Sequence, residues 1–367
     1  MIKSTTILEV KNLEVKRGGI TILHVPSFLI REGEILSLIG PNGAGKTTLL
    51  QTLSYLSKPF QGEIFFRGKK VEANHSVLEY RRKLAMVFQE PLLFDTTVFD
   101  NVSSGLKIRG MKKGEIRERV MEQLDRFGIL HLSHRSSRTL SGGEAQRTSL
   151  ARAFALQPEI LFLDEPFASL DPPTRDSLLE DLEHILQQTR TTAIFATHDR
   201  LEALRLSNRM AVMNEGKIFQ IGSPGEVMNH PVNEWVASFV GAETILTGKV
   251  INKDGGSFFA SVEGQEIEVV GDIHLGERVV LCIRPENVTL STHSSQEGTS
   301  ARNVFPGRIV RIVSLGLYQK VHLDCGFPLV AYVTNHSMEK LSLTAGIAVR
   351  AAFKATAITV VKKGESG

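Results

Sequence analysis

Cysteine is nearly absent. Cys282 and Cys325 are the only two in 367 residues, and they form no C-x-x-C pair. That excludes a disulfide framework and a thiolate zinc knot, and leaves two thiols expected to be buried and reduced. Long apolar runs are missing too: nothing reaches the about 18 residues a membrane-spanning helix needs. The opening residues Met1-Ile-Lys-Ser-Thr-Thr-Ile-Leu-Glu9 contain no apolar stretch of signal-peptide type. A soluble, cytoplasmic chain is expected. An excess of one charge is also lacking. Lys and Arg number 43 against 40 Asp and Glu, a net +3, and the balance holds from Met1 to Val240 (30 basic, 28 acidic) and from Gly241 to Gly367 (13 and 12). Nucleic acid is therefore not expected as a partner. What is present is an ordinary globular composition, 42% hydrophobic and 23% charged, at a length that predicts two or three domains.

The stretch that stands out is Gly40-Pro-Asn-Gly-Ala-Gly-Lys-Thr-Thr48. It fits G-x-x-x-x-G-K-[ST], with Gly40, Gly45, Lys46 and Thr47 at the fixed places. Before it, Glu34–Ile39 is mostly apolar, as a buried parallel strand should be. After it, Thr47–Leu56 lacks Gly and Pro and reads as a helix. Strand, glycine loop and helix together predict a nucleoside triphosphate site. Gly43 and Gly45 let backbone N–H groups close on phosphate where a Cβ would obstruct. The backbone from Pro41 to Thr48, including Asn42 and Ala44, wraps the phosphates at a helix N-terminus. Lys46 reaches the β- and γ-phosphates, and the Thr47 hydroxyl is placed for Mg²⁺.

Further along, Leu84–Gln89 is a short apolar strand ending on Gln89, by itself a solvated strand end. From Asp95 to Gln157 the pattern is helical. Ile116, Val120, Leu124 and Phe127 form one stripe, with Gly128 at the C-cap. In Leu140-Ser-Gly-Gly-Glu-Ala-Gln-Arg147, Ser141 and Glu144 make a capping box at the start of a helix. The adjacent Gly142 and Gly143 are accounted for if a second phosphate approaches that helix end. Ile160–Glu165 is a buried strand whose two acids stand at its C-terminal end, where open α/β sheets place ligands. Asp164 and Glu165 could be a solvated turn. Beside a phosphate loop they read as a Mg²⁺ carboxylate and a base for the attacking water. Asp171 is an N-cap before Pro172-Pro173, and the strand Ala193–Thr197 ends at His198.

Gln89, Leu140–Arg147, Asp164–Glu165, Asp171 and His198, in that order after the glycine loop, resemble the nucleotide-binding subunit of ATP-binding-cassette (ABC) transporters over residues 7 to 240. The resemblance implies ATP and Mg²⁺ as cofactors, and a head-to-tail homodimer with two ATP molecules at its seam. In it, Ser141, Gly142, Gly143 and Glu144 belong to the signature that meets the γ-phosphate held by a second copy. Gln89 links Mg²⁺ and water to a transmembrane permease, Glu165 is the catalytic base, Asp171 crosses the seam and His198 senses the γ-phosphate. One departure concerns adenine. The family has an aromatic residue where this chain has Arg17, although a guanidinium can also stack on a base.

From Ile245 short alternating runs are broken by Asp254-Gly-Gly256, Gly264, Gly271, Gly276, Gly307, Gly316, Gly326 and Gly346, the texture of a small all-β barrel. Ile283-Arg-Pro-Glu-Asn-Val288 resembles the TOBE-type barrel of ABC importer ATPases. Thr299-Ser-Ala-Arg-Asn303 resembles its molybdate-binding version, which implies oxyanion contacts from Ser300, Arg302 and Asn303, with Thr334 and Ser337 from a neighbouring barrel. The alternative is a barrel that only dimerises.

The expected fold is an α/β P-loop NTPase cassette, residues 1–240 with a helical subdomain at about 95–157, followed by an all-β, OB-like TOBE domain at 241–367. The expected function is ATP hydrolysis for an import complex at the cytoplasmic face of the inner membrane, served indirectly by an extracytoplasmic solute-binding protein. Molybdate or tungstate is the favoured cargo, with iron, polyamine, sulfate or sugar as alternatives. A soluble ABC ATPase of ribosomes or DNA would be expected to carry two cassettes or a coiled-coil insertion, and a metabolite sensor would lack a membrane partner.

Overall fold

A computed structural model describes residues 5–71, 77–292 and 300–362 of the chain. It divides into two compact units, Met1–Pro224 and Gly225–Gly367. The first unit is built on a sheet in which Leu84–Val87, Ile160–Asp164, Thr192–Thr197, Ile35–Ile39 and Arg209–Asn214 lie side by side in parallel. Lys217–Gly222 runs antiparallel on the outer edge. Ile35–Ile39, Ile160–Asp164 and Thr192–Thr197 are buried along their whole length, which is why they read as unbroken apolar runs rather than alternating ones. An antiparallel sheet ordered Ile20–Arg31, Thr6–Arg17, Gln61–Phe66 and Lys69–Lys70 shares a core with it through Leu13, Val25, Phe28, Leu36, Leu50 and Phe162.

The helical stretch forms as the periodicity predicts. Val98–Ile108, Lys113–Arg126 and Gly142–Ala155 are its helices, and Ile116, Val120, Leu124 and Phe127 are all buried. The Ser141–Glu144 capping box is made in both directions, and Asp171 caps the helix Pro172–Thr189 by accepting from the Thr174 amide.

The second unit consists of two five-stranded antiparallel sheets. One is ordered Gln265–Val270, Ser257–Val262, Thr244–Asp254, Arg278–Ile283, Ile358–Lys362; the other Thr289–Ser291, Ala348–Phe353, Asn303–Ser314, Tyr318–Asp324, Pro328–Thr334. Their inner faces share one core containing Phe258, Ile267, Leu281, Phe305, Leu323 and Phe353. Polar cross-links tie the sheets together. The Val330 amide donates to Thr244 Oγ1 at 3.0 Å, and buried Asn303 accepts from the Glu268 amide at 2.9 Å while donating to the Glu268 carbonyl at 2.8 Å. Cys282 and Cys325 are free and buried, and burial pushes their thiols up to about 12 and about 11.

The units divide at Pro224/Gly225, not at the expected 240/241. The helices Pro224–Asn229 and Glu234–Phe239 carry the reason: Ala237 packs with Ala242, Val280, Cys282 and Val361 of the second unit, and Arg284 donates to the Met228 carbonyl at 2.6 Å. Apolar burial decides where a unit ends, and the turn signal Gly222-Ser-Pro-Gly225 stands at the observed boundary.

Asn303→Ala takes the side-chain partner from both backbone groups of Glu268 in a part-buried setting. It should lower the stability of the second unit by about 1–3 kcal/mol, read as a downward shift of its calorimetric transition.

Candidate functional site

Four adjacent parallel strands end in chemistry. Ile39 leads into the glycine loop, Val87 runs on towards Gln89, Asp164 is followed by Glu165, and Thr197 by His198. Because the strands are parallel and in register, their C-terminal ends share one edge, and the residues that follow share one cleft. A cavity of about 410 Å³ lies there, lined by Ile22, Asn42 to Thr48, Gln89 and Glu165. Gly40 and Gly43 serve different needs. A Cβ on Gly40 would stand 2.2 Å from the Met213 carbonyl oxygen, whereas Gly43 has φ +82 and open space where a Cβ would be. The first is a packing glycine; the second leaves the loop bare towards the cleft.

Lys46 is only 4% exposed. Its ammonium donates to the carbonyls of Gly40 (2.9 Å) and Pro41 (3.1 Å) and lies 3.3 Å from Glu165 Oε1. The other Glu165 oxygen is 3.0 Å from His198 Nδ1. Glu165 is held at φ +46, a left-handed backbone rare outside Gly, and its amide donates to the Ala196 carbonyl at 3.0 Å. The neighbouring strand thus fixes the turn that aims this carboxylate. Thr47 Oγ1 donates to Asp164 Oδ1 at 2.9 Å, and burial holds the Asp164 carboxyl above its ordinary range. The cleft therefore combines one buried cation, two carboxylates and a hydroxyl at a helix N-terminus. This arrangement can hold a polyphosphate and offer a base beside it.

Not every expected residue gathers here. Arg17 is exposed at the end of its strand, paired in register with Ile20, and does not line the cleft. Ile22 lines it instead; sequence reading missed it, since one apolar residue on an alternating strand carries no signal. Ser141 and Gly142, exposed, and Gly143 and Glu144, half-buried, stand at the start of their own helix, and Asp171 at the start of the next, none of them lining the cleft. Gly143 also has a reason within the chain that the phosphate argument overlooked, because a Cβ there would stand 2.4 Å from Thr174 Cγ2.

In the second unit the residues expected to hold an oxyanion are otherwise engaged. Arg302 Nη1 donates to Glu268 Oε1 at 2.5 Å, so its charge already has a partner. Asn303 is consumed by the cross-link between the sheets. Thr334 caps the helix Asn335–Lys340 and shares a hydrogen bond with Ser337 at 3.0 Å. Ser300 is exposed; Thr299 and most of the polar stretch from His293 to Ser300 lie outside the described residues. The motif made no distinction between an arginine awaiting an anion and one paired across the barrel.

Residues 23–168 match the model of the ABC transporter family, and residues 299–360 match that of the TOBE domain. The molybdate/tungstate import ATP-binding protein WtpC of Pyrococcus horikoshii is 37% identical over 342 residues, 91% of this chain and 94% of that protein. This chain belongs to the ABC transporter family. The spermidine/putrescine import ATP-binding protein PotA of Mycoplasma capricolum subsp. capricolum is 35% identical over 322 residues, 87% of this chain and 88% of that protein. Among solved structures, cbiO1 from Clostridium perfringens, described as part of the ABC transporter complex cbiONQ, is similar with a TM-score of 0.57 and 33% identity. The match covers 61% of this chain and 90% of that one. The first unit is an ABC ATPase cassette with its helical subdomain, and the second carries an OB-like TOBE domain. The chain is an ATPase.

Beyond the cleft, Glu202 is 6% exposed, accepts from Thr197 Oγ1, and is held above its ordinary range by burial. A carboxylate with a raised folded pKa contributes stability fully below its unfolded value, near ~4.3, and loses it as pH rises through the folded value. Glu202→Gln keeps the acceptor without the charge. It should melt above the parent at pH 7, with the difference closing as pH falls below ~4; a gap that widens on acidification would contradict the burial argument.

Proposed function

We propose that this chain energises import of a small solute, most specifically molybdate or tungstate, by hydrolysing ATP beneath a transmembrane permease. The observation that carries the enzymatic half is the Lys46–Glu165–His198 chain beside Thr47 and Asp164. Both Glu165 oxygens are engaged by nitrogen groups, Lys46 at 3.3 Å and His198 at 3.0 Å; when phosphate draws Lys46 away, the His198 contact keeps the carboxylate oriented as a base for water at the γ-phosphate. Thr47 and Asp164, with Gln89 on the cleft wall, fit Mg²⁺, which binds through one or two carboxylates and substrate phosphates rather than an all-protein cage. Among the described residues no group of three or more His, Cys, Asp or Glu is placed to hold a metal alone, in keeping with that mode. Mg²⁺ there would neutralise charge on the β- and γ-phosphates.

Two copies act head to tail. Ser141 and Gly142 are exposed and Gly143 half-buried at a helix N-terminus that does not line its own chain's cleft, so the phosphate they suit is one held by a partner copy. Asp171 lies on the same seam, and His198 reports the γ-phosphate to Glu165. Gln89 and the stretch to Thr97 pass the change to the permease. Among the described residues no helix is long and apolar enough to cross a membrane, which suits a peripheral subunit at the cytoplasmic face, with an extracytoplasmic binding protein acting through the permease. The cargo reading is supported by the likeness to WtpC over 91% of the chain. It does not rest on Arg302, whose charge is paired. Polyamine import is the second reading, supported by the likeness to PotA over 87% of the chain.

The test is reconstitution of the chain with its permease and binding protein in liposomes. Molybdate or tungstate should stimulate ATP hydrolysis several-fold and spermidine should not, while Glu165→Gln should cut turnover at least ~100-fold with ATP still bound. Stimulation by spermidine alone would move the cargo to the second reading, and full activity of Glu165→Gln would refute the base.

A further inference from the structure

Gln146 has no place in the site as described, yet it is the anomaly of the signature helix. It is 2% exposed, and neither Nε2 nor Oε1 has a hydrogen-bond partner. Among the described residues no other buried side chain is left so. Burying an amide without partners is costly, so a fold that retains one calls for an explanation. A leucine or methionine would fill the same space at no such cost.

The direction in which it points narrows the explanation. Gly143 and Arg147 face the helix Pro172–Thr189: a Cβ on Gly143 would stand 2.4 Å from Thr174 Cγ2, and Arg147 donates to Asp181 and to Ser177 Oγ. Gly142 faces the preceding turn, where a Cβ would lie 3.9 Å from Leu170 Cδ2. At 100° per residue, Gln146 projects between these two directions, roughly 60° from Gly143 and roughly 40° from Gly142. Its side chain therefore projects from the side of the helix on which Leu170 and the helix capped by Asp171 pack. The Glu165–Leu170 turn is closed by Ala168 N–H to the Glu165 carbonyl and by Leu170 N–H to the Phe167 carbonyl.

We propose that Gln146 is a positioning residue for ATP hydrolysis: its amide engages the backbone of the Glu165–Asp171 turn only in the ATP-engaged arrangement, and is left unmet in the nucleotide-free one. The unmet amide raises the energy of the resting packing between signature helix and turn. ATP engagement relieves it, and so favours the arrangement in which Glu165 and Asp171 are set. The inference rests on the reading of Glu165 as the base, but its stability arm does not.

Gln146→Met and Gln146→Leu in the full chain test it. Without nucleotide both should melt above the parent, because the unmet amide is gone. The rise in melting temperature on adding ATP should shrink in the same variants. Turnover should fall about tenfold with KM for ATP within about twofold, the split expected when an interaction belongs to the reacting arrangement rather than to binding. Variants that melt at or below the parent would overturn the proposal, since the amide would then already have partners, for instance a buried water. Unchanged turnover would overturn it equally.

Discussion

A single buried charge organises the first unit. The Lys46 ammonium is almost wholly withdrawn from water and is tolerated because two loop carbonyls and the Glu165 carboxylate surround it. Isolated, such a charge would not stay ionised in the interior. Held this way, it fixes the loop that turns around it and sets one oxygen of the neighbouring carboxylate, leaving the other for His198. On the proposed reading, an arriving polyphosphate would offer the ammonium a better anion than two neutral carbonyls, so that binding and the release of Glu165 would be one exchange of partners.

The parallel sheet makes that exchange possible. Strands adjacent in space but distant in sequence end on one edge, so residues near 46, 89, 165 and 198 meet without any one loop being long. The antiparallel unit obeys a different economy. Its sheets are bound by a shared apolar core and by polar cross-links at Asn303 and Thr244, and Arg302 pairs with Glu268 and Lys320 with Glu243.

Legibility followed the range of the forces involved. The phosphate loop, the capping box at Ser141 and the N-cap at Asp171 are set by neighbours within a few residues, and each was readable from spacing alone. So were the buried strands, because continuous apolar runs admit little else. What escaped depended on distant partners. Glu268 lies 34 residues from Arg302 and takes up its charge, and Ile22 reaches the cleft only because its sheet folds over the loop. The boundary at Pro224 followed packing of Ala237 against Val280 and Val361, partners distant in sequence. The missing partners of Gln146 belong to the same class, since a glutamine on a helix looks solvated until its face is known.

The proposed role of the cleft depends on the exchange at Lys46. The direct measurement is calorimetric titration of ATP with Mg²⁺ into the full chain and into Lys46→Met, with circular dichroism to establish that both are folded. Loss of the ammonium should weaken binding by at least about tenfold, roughly 1.4 kcal/mol, because the phosphates lose their one buried cation. Equal affinity in the folded variant would contradict the assignment of this cleft as the nucleotide site and, with it, the role given to every residue around it.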